Sequence, residues 1–428
     1  MKFMITTLGC KVNQHESQLM REQLIRQGML PAEEGQQPDV YIVNSCTVTA
    51  TADQKTRQLI HRARRQYPEA VVCLTGCMPQ AFPEKAQELS EVDVLLGNSN
   101  REVLHDSIMQ YISSGEQVVC IQPHDSRSGL HGGIACFEER TRACIKIEDG
   151  CNRFCAYCII PYARGRVRSR PLEDIRQEAE LLSKQCAELV LVGINLSAYG
   201  QDCGMTLADA VREVAAVEGV KRIRLGSLEP DLLTPELLDY LAAEPKFCPQ
   251  FHMSVQSGCD ATLQRMGRRY DTAQYLALAE SIRERFPNAS ITTDIMVGFP
   301  GETDEEFEQT LDFVRRAGFA RAHCFIYSRR PGTRAAEFPA QVQPDTAKAR
   351  SARLIAATNY TASQFMRSQI GTRAAVLVER VSEDGVAEGY TENYTQVRIS
   401  NAVQDLTGTI VEVTITAADG DVCTAELT

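Results

Sequence analysis

Gly150-Cys151-Asn152-Arg153-Phe154-Cys155-Ala156-Tyr157-Cys158 is the stretch from which the rest of the chain is read. Its three cysteines have Cys-x3-Cys-x2-Cys spacing and follow the apolar run Cys144-Ile145-Lys146-Ile147. Such a run predicts a buried strand, so the cysteines fall on the loop beyond its carboxyl end. Three thiolates on one short loop can hold three corners of an iron–sulfur cube, leaving the fourth iron open to a small molecule. Zinc is the rival metal. Structural zinc takes a closed set of four ligands, and no fourth Cys or His lies nearby on this loop. A disulfide is a poor reading in a chain without a secretory signal. Cysteines buried as small hydrophobes are the plain alternative.

The loop resembles the signature of the radical S-adenosylmethionine enzymes. Cys151, Cys155 and Cys158 match the three cluster ligands, and Tyr157 matches the aromatic just before the last one. The continuation Ile159-Ile160-Pro161-Tyr162-Ala163-Arg164-Gly165-Arg166-Val167-Arg168-Ser169-Arg170 is similar to the methylthiotransferase branch of that superfamily. The resemblance implies that the open iron takes the amino and carboxylate groups of S-adenosylmethionine. It also implies that an electron from the cluster breaks the sulfonium and releases a deoxyadenosyl radical, with Cys151, Cys155 and Cys158 as the catalytic centre.

A chain of 428 residues is too long for one ordinary core, so two or three domains are expected. The apolar fraction of 43% argues against disorder. No apolar run reaches membrane-spanning length, and Met1-Lys2-Phe3-Met4-Ile5 reads as a strand rather than a signal peptide. The 16 cysteines then suggest metal chemistry in a reducing, cytoplasmic setting. The net charge of −11 argues against non-specific nucleic-acid binding and leaves any such role to local arginine clusters.

The opening third alternates strand-like and helix-like segments. Strands are expected at Phe3–Leu8, Val40–Asn44, Ala70–Thr75 and Val92–Leu96, with helices at Glu16–Gln27 and Ala52–Tyr67. That alternation predicts an open parallel α/β sheet. Cys10, Cys46 and Cys77 each follow one of these strands, where ligands of parallel sheets gather. They form a second three-thiol set, while Cys73 lies inside its strand as core. Gly9-Cys10-Lys11-Val12-Asn13-Gln14, Asn44-Ser45-Cys46-Thr47-Val48 and Thr75-Gly76-Cys77 resemble the amino-terminal methylthiotransferase domain. The resemblance implies an auxiliary 4Fe-4S cluster on Cys10, Cys46 and Cys77, involved in sulfur insertion. The wording Lys11-Val12 is similar to the subfamily acting on threonylcarbamoyladenosine in tRNA; the isopentenyladenosine enzymes usually carry Gln-Met there. His15 stands where that subfamily commonly has tyrosine.

Pro123 to Gly133, with His124 and His131, reads as a solvated linker. Beyond it, strands are expected at Ala143–Ile147, Leu189–Val192, Arg222–Leu225, Phe251–Val255, Ile291–Val297 and Ala322–Tyr327, with helices between them. Six strand–helix units suit an open partial (β/α)6 barrel with its chemistry at the carboxyl ends of the strands. Thr303 is expected to cap the helix starting at Asp304. Resemblance makes Tyr157, Gly193, Asn195, Ser227, Glu229, Gln256 and Asp294 candidates for the cofactor or substrate pocket.

Arg164, Arg166, Arg168 and Arg170 alternate, which in an extended segment puts all four on one face. With Arg265, Arg268, Arg269, Arg329 and Arg330 they suggest a track for a nucleic-acid backbone. The plain alternative is a solvated or internally paired face. The tail from Gly371 changes to five short strands, the pattern of a small all-β barrel. Gly389-Tyr390-Thr391-Glu392-Asn393-Tyr394 resembles the centre of a TRAM domain, an RNA-binding module in which Tyr390 and Tyr394 could stack on bases. The expected domains are 1–122, a linker 123–136, a radical core 137–368 and a TRAM barrel 369–428.

The resemblance implies a tRNA-modifying enzyme that methylthiolates carbon 2 of threonylcarbamoyladenosine beside the anticodon. One S-adenosylmethionine would supply the methyl group, delivered first to sulfur at the auxiliary cluster, and a second the radical. It implies two 4Fe-4S clusters, a tRNA substrate, an electron donor such as flavodoxin or ferredoxin, a sulfur source, no membrane and a monomer. Isopentenyladenosine tRNA or a ribosomal protein is the alternative substrate. An RNA-binding iron–sulfur carrier or sensor is the non-enzymatic alternative.

Overall fold

The computed structural model describes residues 1–124, 130, 132–136, 141–400, 402 and 406–428. They divide into two compact units, each drawing on separate stretches of chain. Of the expected linker, residues 125–129 and His131 lie outside the described residues.

The first unit comprises Met1–Ala135, Glu148–Arg170 and Ser328–Ala336. Its sheet holds β1 (Lys2–Thr7), β2 (Leu30–Pro31), β3 (Val40–Ser45), β4 (Val71–Gly76), β5 (Val94–Leu96) and β6 (Val118–Cys120). The order is β2-β1-β3-β4-β5-β6, all pairs parallel. β3 and β4 are buried throughout, as strands with both faces covered must be. On one face Met20, Leu24, Leu104 and Ile108 from helices 11–26 and 104–114 meet Phe3, Ile42, Cys73 and Val94. On the other, Ile60, Ala63 and Ala86 meet Val43, Leu74 and Leu95. The expected parallel sheet is present, with β2, β6 and the helix Leu104–Ser114 added to the sequence reading. Helix Lys11–Arg26 begins five residues before the expected Glu16, directly after Cys10.

The second unit comprises Cys136–Ile147, Pro171–Tyr327 and Glu337–Thr428. Here β7 (Arg142–Lys146), β10 (Glu188–Val192) and β11 (Arg222–Leu225) form one parallel sheet, ordered β11-β10-β7. β12 (Ser227–Leu228), β13 (Gln250–Met253), β14 (Ser290–Val297) and β15 (Arg321–Ile326) form the next, in chain order. The short strands β8 (Glu148–Asp149) and β9 (Arg168–Ser169) pair antiparallel and belong to the first unit. Helices separate successive long strands, from 172–182 through 207–215, 235–243, 272–285 and 304–317 to 344–368. The six expected strands are all present and parallel, with the ladder interrupted at Gly226. Thr303 caps helix Asp304–Ala317 in a box closed by Glu306, as its sequence requires.

The tail closes into a barrel of β16 (Arg373–Val381), β17 (Ala387–Thr391), β18 (Gln396–Ile399), β19 (Ile410–Asp419) and β20 (Val422–Leu427). Val376, Val378, Val397, Ile399, Val413 and Ile415 fill it, the inward half of an alternating pattern. Among the described residues no helix is long and apolar enough to cross a membrane.

Candidate metal centres

The loop carrying Cys151, Cys155 and Cys158 is fixed by backbone rather than by regular structure. Cys151 N–H donates to the Gly165 carbonyl (3.0 Å) and Cys158 N–H to the Cys155 carbonyl (3.0 Å). Ala335 N–H donates to the Ala156 carbonyl (2.8 Å), and Arg334 reaches the Phe154 carbonyl (3.2 Å). Gly150 has φ +95°, and a Cβ there would lie 2.0 Å from the Arg166 carbonyl oxygen, so only glycine fits. Phe154 adopts φ +51° without being glycine, and it is held by the edge of Tyr162 and the guanidinium of Arg166. Backbone held in this region concentrates at functional sites. Cys155 is buried, Cys151 and Cys158 half-buried, and Tyr157 between them is half-buried.

In the same unit, Cys10, Cys46 and Cys77 stand after β1, β3 and β4. Cys10 is the N-cap of helix 11–26, and Cys77 opens the short helix Cys77–Ala81. Asn13 ties their loops together. Its Nδ2 donates to the carbonyls of Leu8 (2.9 Å) and Ser45 (3.0 Å), while Oδ1 faces the Cys10 thiol at 3.7 Å. The thiols lie within electrostatic reach of one another. Burial first, then Cys77 and Cys10, push the Cys46 thiol up to about 11. Cys10 touches solvent yet is densely surrounded by protein. Burial raises its pKa, Cys77 and Glu16 add to this, and Arg164 opposes it. Close-set thiols that a bound cation would help to deprotonate are a donor set suited to metal. Among the described residues no three His, Cys, Asp or Glu side chains preform a site for a single metal ion.

Arg164 is completely buried beside these thiols. Its Nε donates to Cys77 Sγ (3.2 Å), and its Nη2 to Asn13 Oδ1 (2.6 Å) and Glu16 Oε2 (3.0 Å). Nη1 bonds Glu16 Oε1 and lies 3.5 Å from Asp149. Burial works against its charge, but Cys77, Glu16 and Asp149 outweigh that and keep it cationic. Arg101 reaches the other side of Glu16 at 2.9 Å.

In the second unit the other candidates sit at strand ends. Gly193 and Asn195 follow β10, Ser227 lies in β12, and Glu229 follows it. Glu229 is held by Arg268 through both oxygens (2.7 and 3.3 Å). Gln256 follows β13 with φ +71°, and among the described residues its buried Oε1 has no hydrogen-bond partner. Asp294, inside β14, shares its carboxylate with His252 and Ser254.

Two family models match the chain. "Radical SAM superfamily" covers residues 145–314 and "Uncharacterized protein family UPF0004" covers 2–97. The threonylcarbamoyladenosine tRNA methylthiotransferase of Thermotoga maritima is 39% identical, over 92% of this chain and 90% of its own. The tRNA-2-methylthio-N(6)-dimethylallyladenosine synthase of Pelotomaculum thermopropionicum is 36% identical, over 97% and 95%.

The chain belongs to the radical S-adenosylmethionine methylthiotransferase family.

Among solved structures, the fold of the methylthiotransferase is similar to the radical S-adenosylmethionine methyltransferase TsrM from Kitasatospora setae. The TM-score is 0.57 at 17% identity, covering 78% of this chain and 76% of that one. Methylthiotransferases of this family use S-adenosylmethionine and two 4Fe-4S clusters. Cys10, Cys46 and Cys77, and Cys151, Cys155 and Cys158, all lie within the first unit.

The structure corrects the expected arginine face. Residues Ile160–Arg164 are helical and Gly165 turns the chain at φ +74°, so the alternation does not run along one extended strand. Arg164 and Arg170 are buried. Arg168 bonds the Arg164 carbonyl and lies 3.6 Å from Asp149, leaving Arg166 exposed. Arg268 is turned inward to Glu229 and Tyr270, and Arg330 to Asp53 and Thr47, while Arg269 and Arg329 are exposed. Tyr390 and Tyr394 stack on each other at 4.5 Å. Arg142 covers both rings at 5.0 Å, and Arg224 covers Tyr394 at 4.7 Å, so these ring faces serve internal packing. His124, expected in a solvated linker, packs against the Ala163 carbonyl (2.9 Å) and Ser99 (3.0 Å). Sequence reasoning missed Asn13, Glu16 and Arg164 as organisers of the thiols. Asn13 lay within the quoted Cys10 motif, the one signal that could have marked it.

Proposed function

We propose that this methylthiotransferase acts on tRNA and methylthiolates carbon 2 of threonylcarbamoyladenosine. Cys151, Cys155 and Cys158 hold the cluster that meets S-adenosylmethionine, and Cys10, Cys46 and Cys77 hold the auxiliary one. The observation that carries this is the placement of two three-thiol sets, each one ligand short of closure, in a single compact unit. The 39% identity to the Thermotoga enzyme and the Lys11-Val12 wording support the choice of nucleoside.

Bound S-adenosylmethionine and the clusters supply the methyl group and the radical that breaks an unactivated C–H bond, a step no side chain can perform. The chain does the rest. Gly150 and the positive-φ Phe154 hold the three-cysteine loop in one shape. Asn13 fixes the loops of the strand-end thiols, and Arg164 offsets their negative charge from within the protein. Gln256 presents its unpartnered oxygen to a ligand, and Arg268 fixes the orientation of Glu229. The domain parse 1–122, 123–136, 137–368 and 369–428 belongs to this reading. So do a low-potential electron donor, a sulfur source, a monomeric state and a cytoplasmic location.

The test is anaerobic reconstitution, then incubation with S-adenosylmethionine, reductant, sulfide and tRNA carrying threonylcarbamoyladenosine or isopentenyladenosine. Nucleoside mass spectrometry should find the methylthio product only from the first tRNA and none with Cys155→Ala. Product only from the second moves the chain to the dimethylallyl branch, to which the Pelotomaculum relative's name points. Deoxyadenosine with no modified nucleoside sinks the tRNA reading.

A further inference from the structure

Strands β13, β14 and β15 have one face covered by helices and one that is open. Phe251 packs on Phe286 at the end of helix 272–285, and Cys324 meets Thr358 of helix 344–368, which marks the covered face. Alternation then puts Gln250, His252, Ser254, Thr292, Asp294, Arg321 and His323 on the other. These residues are joined. Thr292 Oγ1 bonds Gln250 Nε2 (3.2 Å) and His252 Nδ1 (2.9 Å). His252 Nε2 and Ser254 Oγ both donate to Asp294 Oδ2, at 3.2 and 2.9 Å. His323 Nδ1 stands 3.6 Å from the other oxygen, Oδ1.

Asp294 Oδ1 accepts no hydrogen bond among the described residues, although its twin is doubly engaged. Burial alone would raise this carboxyl; His252, Ser254 and His323 outweigh it and hold it ionised. The face is accessible, with 28% of the Asp294 side chain, 24% of His252 and 77% of His323 exposed. It therefore offers one fixed acceptor flanked by an exposed imidazole and, two residues earlier on β15, the exposed guanidinium of Arg321.

We propose that this face, centred on Asp294 with His252 and His323, binds the threonylcarbamoyl arm of the substrate and sets the choice of nucleoside. The inference rests on the tRNA reading above. The arm carries a hydroxyl and urea N–H groups, which Asp294 Oδ1 can accept, and a carboxylate, which His323 and Arg321 can meet. An isopentenyl arm has no polar atom. Seating it here would leave Asp294 desolvated without a donor, and sites built to hydrogen-bond a substrate reject the analogue lacking that group far more strongly than apolar pockets do.

The experiment measures binding of the reconstituted full-length protein to three anticodon stem-loop RNAs. One carries threonylcarbamoyladenosine, one the same nucleoside with its carboxylate amidated, and one isopentenyladenosine. Wild type is expected to favour the first over the third by about tenfold or more. Asp294→Asn should weaken the first about tenfold and bind the third as well as or better than wild type, because the carboxylate it would desolvate is gone. His323→Gln, at an exposed position that leaves the fold intact, should narrow the difference between acid and amide, with Arg321 accounting for what remains. Iron content and melting temperature report that both variants hold their clusters and fold. A wild-type preference that survives both substitutions undiminished overturns the assignment of this face while the tRNA reading stands. A wild-type preference for isopentenyladenosine overturns the choice of nucleoside, and this inference with it.

Discussion

The Nε of Arg164 donates to the sulfur of Cys77 at 3.2 Å, while the rest of the guanidinium is locked on Glu16 and Asn13. One side chain thus touches a thiol of the strand-end set and the acid that neutralises it. It stands in the segment leading out of the other cysteine loop. Removing one partner of such a buried pair strands the other and typically costs about 3–5 kcal/mol. Arg164→Met is expected to lower unfolding free energy by about that amount and to lose about half of the reconstituted iron, the share of one of two equal clusters. Denaturant titration and iron analysis check both. Arg164→Lys should recover only part, because an ammonium cannot reproduce the fork.

Gly76 ends β4 directly before Cys77 with φ +99°, and a Cβ there would lie 2.5 Å from the Ser45 carbonyl oxygen and 2.6 Å from its nitrogen. Both obstacles are backbone of the neighbouring strand and cannot swing away. Gly76→Ala should cost about 2 kcal/mol or more. It should also displace Cys77, read as a fall in the iron bound by a Cys151/Cys155/Cys158→Ala variant that retains the strand-end set.

Glu188 is buried among Arg224 (2.8 Å), Arg142 (3.7 Å) and Arg222 (3.9 Å). Burial by itself would raise its carboxyl, but the arginines overcome this and hold it below its ordinary value. Its stabilising effect is therefore complete above the unfolded value, near pH 4.5, and is lost as pH falls through the lower folded value. Glu188→Gln should destabilise the protein at neutral pH by about 3 kcal/mol or more and flatten the acid limb of its stability curve. Urea titrations from pH 7 to pH 3 provide the measurement.

The capping box of Thr303 and Glu306 predicts a smaller, local effect. Thr303→Ala should cost about 1 kcal/mol and leave iron content unchanged, read by thermal unfolding beside iron analysis.

Those four sites differ in how far the sequence discloses them. Thr303 before Asp304-Glu305-Glu306 is a contiguous signal, and so is the cysteine spacing of the loop. The strand-end positions of Cys10, Cys46 and Cys77 follow from apolar runs that also fix the sheet. The pairing of Arg164 with Glu16 spans 148 residues, and nothing local to either marks it. The arginine alternation misled for a physical reason: period-two reasoning assumes extended backbone, and a helical turn ending at Gly165 sends Arg164 inward. Helix Leu104–Ser114 and β6 are less legible because β6 is only three residues long and the helix leaves Met109 and Ile112 exposed, so packing on the sheet decides their form.

The composition of the first unit bears on how the protein is born. Asp53 receives its cation from Arg330, and Glu16 from Arg164 and Arg101. Both carboxylates are synthesised well before Arg164 and Arg330. A chain cut after residue 122 retains Arg101 but never acquires the other two. The amino-terminal unit thus lacks its last buried counter-charge until about three-quarters of the chain, as far as Arg330, has been made.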